Sequence, residues 1–107
     1  MDERTRRVAE NEILFRQVNE RVRGIAGASP AGTVEIICEC GETTCMDRVR
    51  VKAKSYERTR SAPADFLLKP GHDKQGFETV IETHEEFLLV RKVGEAGELA
   101  KRRDPRP

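Results

Sequence analysis

Apolar residues near the start of the chain repeat with the period of an α-helix. Their spacings are seven, three, four and three residues, which places them on one helical face. The stripe consists of Val8, Phe15, Val18, Val22 and Ile25, and Leu14 widens it. The pattern predicts an amphipathic helix over residues 2–25, ended by Gly24 and Gly27, whose apolar stripe covers a sheet.

The period then changes to two, which is typical of β-strands. Residues 33–38 are rich in β-branched side chains, and residues 48–54 alternate apolar with basic ones. The alternation turns Val49, Val51 and Ala53 toward a core and leaves a basic face in solvent. We expect the two strands to pair as a hairpin, with the compact loop of residues 40–47 at its tip.

The second half of the chain contains shorter predicted elements. Ser55 is a suitable N-cap for a short helix that Pro63 ends, and residues 65–69 are extended up to the Pro70-Gly71 turn. Strands over residues 77–83 and 87–92 flank a further turn, and residues 94–103 form a C-terminal helix. We expect residues 1–7 and 104–107 to be frayed ends.

The composition fits one domain, residues 1–107, with little apolar material for a core. Hydrophobic and charged residues each make up 36% of the chain, and Trp is absent. A domain of this size and composition gains from an additional cross-link such as a bound metal.

The charge balance and the first residues of the chain argue against some classes of protein. A net charge of +1 argues against a protein that coats nucleic acid non-specifically, because such proteins are usually strongly basic. No apolar run approaches the roughly 18 residues needed to span a bilayer, and residues 1–10 contain no apolar signal segment. We therefore expect a cytoplasmic protein that makes no membrane contact.

Three cysteines fall within eight residues, as Cys38-Glu-Cys40-Gly-Glu-Thr-Thr-Cys45. In a reducing compartment clustered cysteines bind metal or do redox chemistry, and three leave one unpaired in any disulfide scheme. Zinc prefers thiolate and imidazole ligands in a tetrahedron, and Gly41 provides the freedom for the sharp turn that this geometry requires. An iron–sulfur cluster usually takes four cysteines, so zinc is the favoured metal.

A histidine is expected to complete the site, and the chain has two. His72 follows the rigid Pro70-Gly71 turn, whereas His84 lies in a predicted hairpin turn where exposed histidines are common. We favour Cys38, Cys40, Cys45 and His72 as ligands and keep His84 as the alternative. Such a Cys3His site is closed and therefore structural, whereas a water in place of His72 would make a hydrolase conceivable. Together, the predicted elements and the predicted metal site indicate an α+β domain. It has an N-terminal helix packed on a small, mostly antiparallel sheet, with a zinc loop at the tip of the first hairpin.

The chain resembles a group of small bacterial proteins for which no activity is established. The resemblance is carried by residues 11–20, the cysteine loop of residues 38–45, the Tyr-x-x-x-Arg sequence of residues 56–60 and the Pro-Gly-His sequence of residues 70–72. It spans nearly the whole chain. It implies the same ligand set and a single domain, and it supplies no function.

Basic residues suggest a second binding surface. They are Arg48, Arg50, Lys52, Lys54, Arg58 and Arg60. Such a patch suits phosphate contacts, although a solvated strand face that discourages aggregation has the same composition. We therefore expect a non-enzymatic, zinc-stabilised interaction or regulatory module that binds a protein partner. A nucleic-acid- or ribosome-associated module using this patch is the alternative, and a metal- or thiol-dependent enzyme is the third hypothesis.

Overall fold

The computed structural model describes residues 1–26 and 32–106; Gly27, expected to end the first helix, and the side chain of Ile25 lie outside the described part. The predicted α+β class is confirmed. In chain order the elements are α1 (Glu3–Ala26), β1 (Thr33–Ile37), β2 (Arg48–Lys52), α2 (Ala53–Arg60), β3 (Asp65–Leu68), β4 (Glu78–Thr83), β5 (Leu88–Lys92) and α3 (Gly94–Arg102).

The five strands form two antiparallel sheets rather than the single sheet expected. β1 and β2 pair with Thr33 opposite Lys52, and the second sheet has the order β3-β5-β4. A bulge interrupts the β4–β5 ladder between Val80 and Glu82. The sheets meet where the chain leaves β1, because the Glu39 amide donates to the Leu67 carbonyl at 3.0 Å instead of extending either ladder.

The core lies where the inner faces of the two sheets meet the helices. Alternate residues of β1 and β2 point inward, and β3 is buried along its whole length. The core side chains include Val34, Ile36, Val49, Val51, Tyr56, Phe66, Leu68, Val90 and Leu99. As the sequence alternation predicts, Arg48, Arg50 and Lys52 remain on the solvent side of β2.

The boundary between β2 and α2 differs from the expected one. β2 ends at Lys52, so Ala53 and Lys54 belong to the helix rather than to the strand, and Ser55 lies within the first turn instead of capping it. Lys52 is the N-cap residue, in an extended conformation with no side-chain cap. Residues 53–60 contain Ala, Lys, Glu and Arg, which are good helix formers, and this explains the early start.

The orientation of α1 differs from the expected one, although Val8 and Phe15 of the predicted stripe are half-buried. Leu14, Val18 and Val22 of the apolar stripe are 51%, 38% and 46% exposed. The buried face instead consists of Ala9, Glu12, Ile13, Arg16 and Asn19. This face is stable in the interior because its polar side chains have partners there, as buried polar groups must.

Arg16 shows how one of these side chains is accommodated. Its guanidinium donates to the backbone carbonyls of Pro63 and Ala100, the latter at 2.8 Å, and lies over the Phe66 ring at 4.8 Å. The helix is therefore fixed to α3 and to the segment before β3 by hydrogen bonds and a cation–π contact. The expectation that the apolar stripe covers the sheet is wrong for Leu14, Val18 and Val22; Ala9 and Ile13 provide the apolar contact instead.

Candidate metal centre

The first two cysteines are positioned by the continuation of β1. The Cys38 amide donates to the Asp47 carbonyl at 2.9 Å, which extends the β1–β2 ladder by one pair. In an extended segment successive side chains point to opposite sides, so Cys38 and Cys40 share one side and Glu39 takes the other. Both thiols are fully buried.

Glu39 is fixed in the interior on the opposite side. Its carboxylate accepts hydrogen bonds from Arg60 at 2.7 Å and from Asn19 at 2.8 Å, and it also accepts from the Leu67 amide at 2.9 Å. Asn19 in turn bonds both backbone groups of Ile37 at 2.9 Å. This network locks the backbone between the two cysteines.

Gly41 makes the turn that follows Cys40, as the sequence predicts. Its φ is +80°, and a Cβ there would lie 2.6 Å from Glu12 Cγ and 2.8 Å from the Val8 carbonyl oxygen. The Gly41 carbonyl accepts from the Asn11 side chain at 3.2 Å. The loop is therefore seated directly on α1, and only glycine combines this φ with so close an approach.

Cys45 and His72 reach the centre from two further turns. The Cys45 amide donates to Glu42 O at 3.0 Å, and the His72 amide donates to Lys69 O at 3.0 Å through the Pro70-Gly71 turn. The Lys69 amide itself donates to Cys38 Sγ at 3.1 Å. Local hydrogen bonds thus hold all four side chains toward one point.

The distances fit a tetrahedral metal site. One ligand atom from each of Cys38, Cys40, Cys45 and His72 lies within 4.8 Å of the others. His72 Nδ1 is 3.6 Å from both Cys38 Sγ and Cys45 Sγ. A zinc tetrahedron with its usual bond lengths has sulfur–nitrogen edges of about 3.6 Å, so these four residues form a candidate metal-binding site.

The outer nitrogen of His72 also faces an acidic partner. Its Nε2 lies 3.6 Å from Asp47 Oδ2. Carboxylates commonly orient metal-binding histidines by a hydrogen bond to the outer nitrogen, and the 3.6 Å separation here is slightly longer than such a bond. Asp47 therefore lies close to this nitrogen without bonding it, and the sequence did not single it out.

Hydrogen bonds among the thiols and burial shift their pKa values in different directions. A hydrogen bond with Cys38 lowers the pKa of Cys40 to about 4, and the same bond raises the pKa of Cys38. Burial raises the pKa of Cys45. One thiolate is therefore favoured in the protein alone, and a bound cation would displace the remaining protons.

The alternative ligand, His84, lies elsewhere. It sits in the turn between β4 and β5, where Nε2 is 2.8 Å from Glu82 Oε1 and the ring stacks on Phe87 at 4.3 Å. Within the described residues, the metal-ligand cluster contains His72 and not His84.

The predicted basic surface is only partly present. Arg48, Arg50, Lys52 and Lys54 are exposed, and Arg58 pairs with Glu82 at 3.3 Å. Arg60 does not belong to this surface, because its side chain is 1% exposed and binds Glu39. The ion pair explains the burial of Arg60, since a buried charge needs a partner.

Sequence reasoning missed a second buried ionic cluster next to the metal loop. Lys92 Nζ contacts the carboxylates of both Glu12 and Glu78, and all three side chains are 1% exposed. Burial raises the pKa of Glu12 to about 8. The available signal was the recurrence of Glu12, Arg16 and Asn19 at helical spacing, which marks a second, polar face of α1.

Comparisons with protein-family models, with curated proteins and with solved structures find no match to this chain. The resemblance noted from the sequence therefore stays a prediction. Among the described residues, no helix has the length and apolar character required to cross a membrane.

Proposed function

We propose that the protein binds one Zn2+ through Cys38, Cys40, Cys45 and His72, and that this closed site stabilises a non-enzymatic module that binds a protein partner. The observation that carries the metal assignment is the convergence of three sulfurs and one imidazole nitrogen within 4.8 Å. Thiolates and imidazole suit zinc, whereas hard cations prefer oxygen ligands.

The donor set supports a structural rather than a catalytic role. Four protein ligands fill a zinc tetrahedron, and catalytic sites usually keep one position for water or substrate. Two of the thiols are fully buried, so a substrate would meet the centre only from the side of Cys45 and His72. The side chain nearest in sequence, Glu39, is already bound to Arg60 and turned away.

Charge distribution favours a protein partner over a nucleic acid. Arg48 lies 3.8 Å from Glu35 and Arg58 lies 3.3 Å from Glu82. Glu85 and Glu86 line the same groove as Arg48 and Arg50. Acidic groups are thus interleaved with the basic ones, so this surface lacks the continuous positive charge that favours a phosphate backbone, whereas a protein segment can match both signs of charge.

Metal analysis tests the proposal. The purified protein should contain one zinc per chain. Cobalt substitution should give the visible ligand-field bands of a tetrahedral thiolate site, and His72→Ala should lower zinc affinity by about 100-fold or more because one of four ligands is lost.

His84→Ala is the matched control, because it removes the other imidazole and leaves the cluster intact. Equal zinc affinity in the two variants would reject His72 as a ligand. A wild-type protein that takes up neither zinc nor cobalt would reject the site itself.

A further inference from the structure

β2 has an open edge in the part of the chain that the structure describes. The Cys38 amide bonds to Asp47 and the Ala53 amide to Gly32 at 2.8 Å, which fixes the phase of the β1–β2 ladder. In an antiparallel pair with this phase, the backbone groups of Arg48 and Arg50 point away from β1. Within the described residues, neither their amides nor their carbonyls have a hydrogen-bond partner.

A groove runs beside this strand. Two neighbouring clefts share Arg50, Glu85 and Glu86 in their walls. One cleft continues to Lys69 and Pro70, and the other continues to Ser55 and Phe87. The open strand therefore faces a surface depression with the β4–β5 turn as its opposite wall.

The side chains beside the edge specify the charge of an added strand. Three consecutive outward positions of β2 are basic, namely Arg48, Arg50 and Lys52. Only Arg48 has an ion-pair partner among the described residues, Glu35 on the β1 side. An added strand would place its own side chains directly opposite this row, where acidic groups are favourable and basic ones are not.

The same row disfavours a second copy of this chain as the occupant. Two β2 edges pairing with each other would bring basic side chains into register, and like charges directly opposite are destabilising. The inward positions beside Val49 and Val51 continue the apolar face of the sheet. The fitting sequence thus alternates acidic with apolar residues.

We propose that the open edge of β2 binds an extended segment of a partner protein in which acidic and apolar residues alternate, adding a third strand to the β1–β2 sheet. Main-chain hydrogen bonds to Arg48 and Arg50 provide attachment, and the basic row selects the charge pattern. This inference builds on the protein-binding part of the proposed function and names the class of partner.

Amide hydrogen exchange tests the open edge. In the free protein the amides of Arg48 and Arg50 should exchange rapidly, and those of Val49 and Val51, which point toward β1, should exchange slowly. A capped hexapeptide of alternating Glu and Val at about ten times its dissociation constant should slow the Arg48 and Arg50 amides by about tenfold.

Charge reversal tests the selection of sequence. The double variant Arg50→Glu/Lys52→Glu should bind the Glu–Val peptide about tenfold more weakly than the wild type and should gain affinity for a Lys–Val peptide. Arg21→Glu on the exposed surface of α1 is the matched control and should leave both affinities unchanged.

Three results would overturn the proposal. They are slow exchange of the Arg48 and Arg50 amides in the free protein, undiminished peptide binding by the double variant, and an oligonucleotide that protects these amides where the Glu–Val peptide does not. Zinc content is measured on the same samples. Zinc-containing protein that ignores the peptide rejects the docking site alone, and zinc-free protein that binds it rejects the metal site alone.

Discussion

At the scale of single residues, the three positions 38 to 40 carry two separate chemistries. Cys38 and Cys40 face the candidate metal centre, and Glu39 faces Arg60 and Asn19 on the other side of the same strand. The alternation of an extended backbone makes this possible without any special loop. A change in the polar network around Glu39 should therefore alter the positions of the Cys38 and Cys40 thiols.

Replacing Glu39 should be strongly destabilising because it leaves Arg60 buried without its carboxylate. Glu39→Gln should lower the free energy of unfolding by about 3 kcal/mol or more. Chemical denaturation measures this, and a double-mutant cycle with Arg60→Met is the control. The cost of Glu39→Gln should be clearly smaller in the Arg60→Met background, and an equal cost would show that the pair is not the cause.

Glu12 should make stability depend on pH. Burial raises its pKa from 4.5 to about 8, so the folded protein binds this proton over a range in which the unfolded chain has lost it. The stabilising contribution is complete below pH 4.5 and is lost as the pH rises to about 8, at no more than about 1.4 kcal/mol per pH unit.

Subtraction isolates this effect from the metal ligands, which respond to pH in the opposite sense. The unfolding free energy of the wild type minus that of Glu12→Gln should fall across this pH window and level off above it. A difference that rises with pH would contradict the assignment.

Gly41 and Gly71 provide a matched pair for testing the contact between the metal loop and α1. Both have positive φ, but a Cβ at Gly41 meets α1 at 2.6 Å and a Cβ at Gly71 meets nothing within 4 Å. Gly71→Ala should cost about 1 kcal/mol for the backbone alone. Gly41→Ala should cost about 3 kcal/mol, since overpacking is added, and equal losses in thermal or denaturant unfolding would argue against the contact.

At the scale of elements, the local sequence pattern predicted which helices and strands exist better than it predicted which face of a helix is buried. The helices and strands were found because periodicity is a local property, and the cysteines stood out because they are clustered in sequence. The face that α1 buries could not be found in this way. Its partners are distant, with Glu12 and Lys92 separated by 80 positions and Arg16 and Ala100 by 84.

The same reasoning explains the other differences. The junction between the two sheets depends on hydrogen bonds of Glu39 with Leu67 and of Lys69 with Cys38, and the burial of Arg60 depends on Glu39. None of these contacts produces a periodic pattern in the sequence. His72 was identified because a rigid Pro-Gly turn next to a histidine is itself a local signal.

At the scale of the whole molecule, the candidate centre joins the β1–β2 hairpin to the segment between β3 and β4, two parts with little backbone pairing between them. Cys38 and Cys40 follow β1, Cys45 precedes β2, and His72 lies between β3 and β4. The two sheets would otherwise be connected mainly by the core and by the polar network of Glu39. Binding free energy at such a junction becomes folding free energy.

Removing the metal should therefore loosen the junction between the sheets. A strong chelator should lower the melting temperature by about 20 °C, corresponding to the loss of several kcal/mol in a domain of this size. Amide exchange should accelerate first at Glu39 and Lys69, whose amides bond Leu67 and Cys38. An unchanged melt on zinc-loaded protein after chelation would contradict this role for the ion.

The polar face of α1 also constrains the order in which the protein forms during synthesis. α1 is translated before its partners: the Arg16 guanidinium donates to the carbonyls of Pro63 and, in α3, of Ala100, and the ammonium that contacts Glu12 belongs to Lys92 in β5. Until Lys92 and Ala100 have been translated, the nascent helix lacks the partner of Glu12 and one of the two acceptors of Arg16. Final docking of α1 thus follows the synthesis of α3, and until then the polar side chains of this face keep it compatible with water.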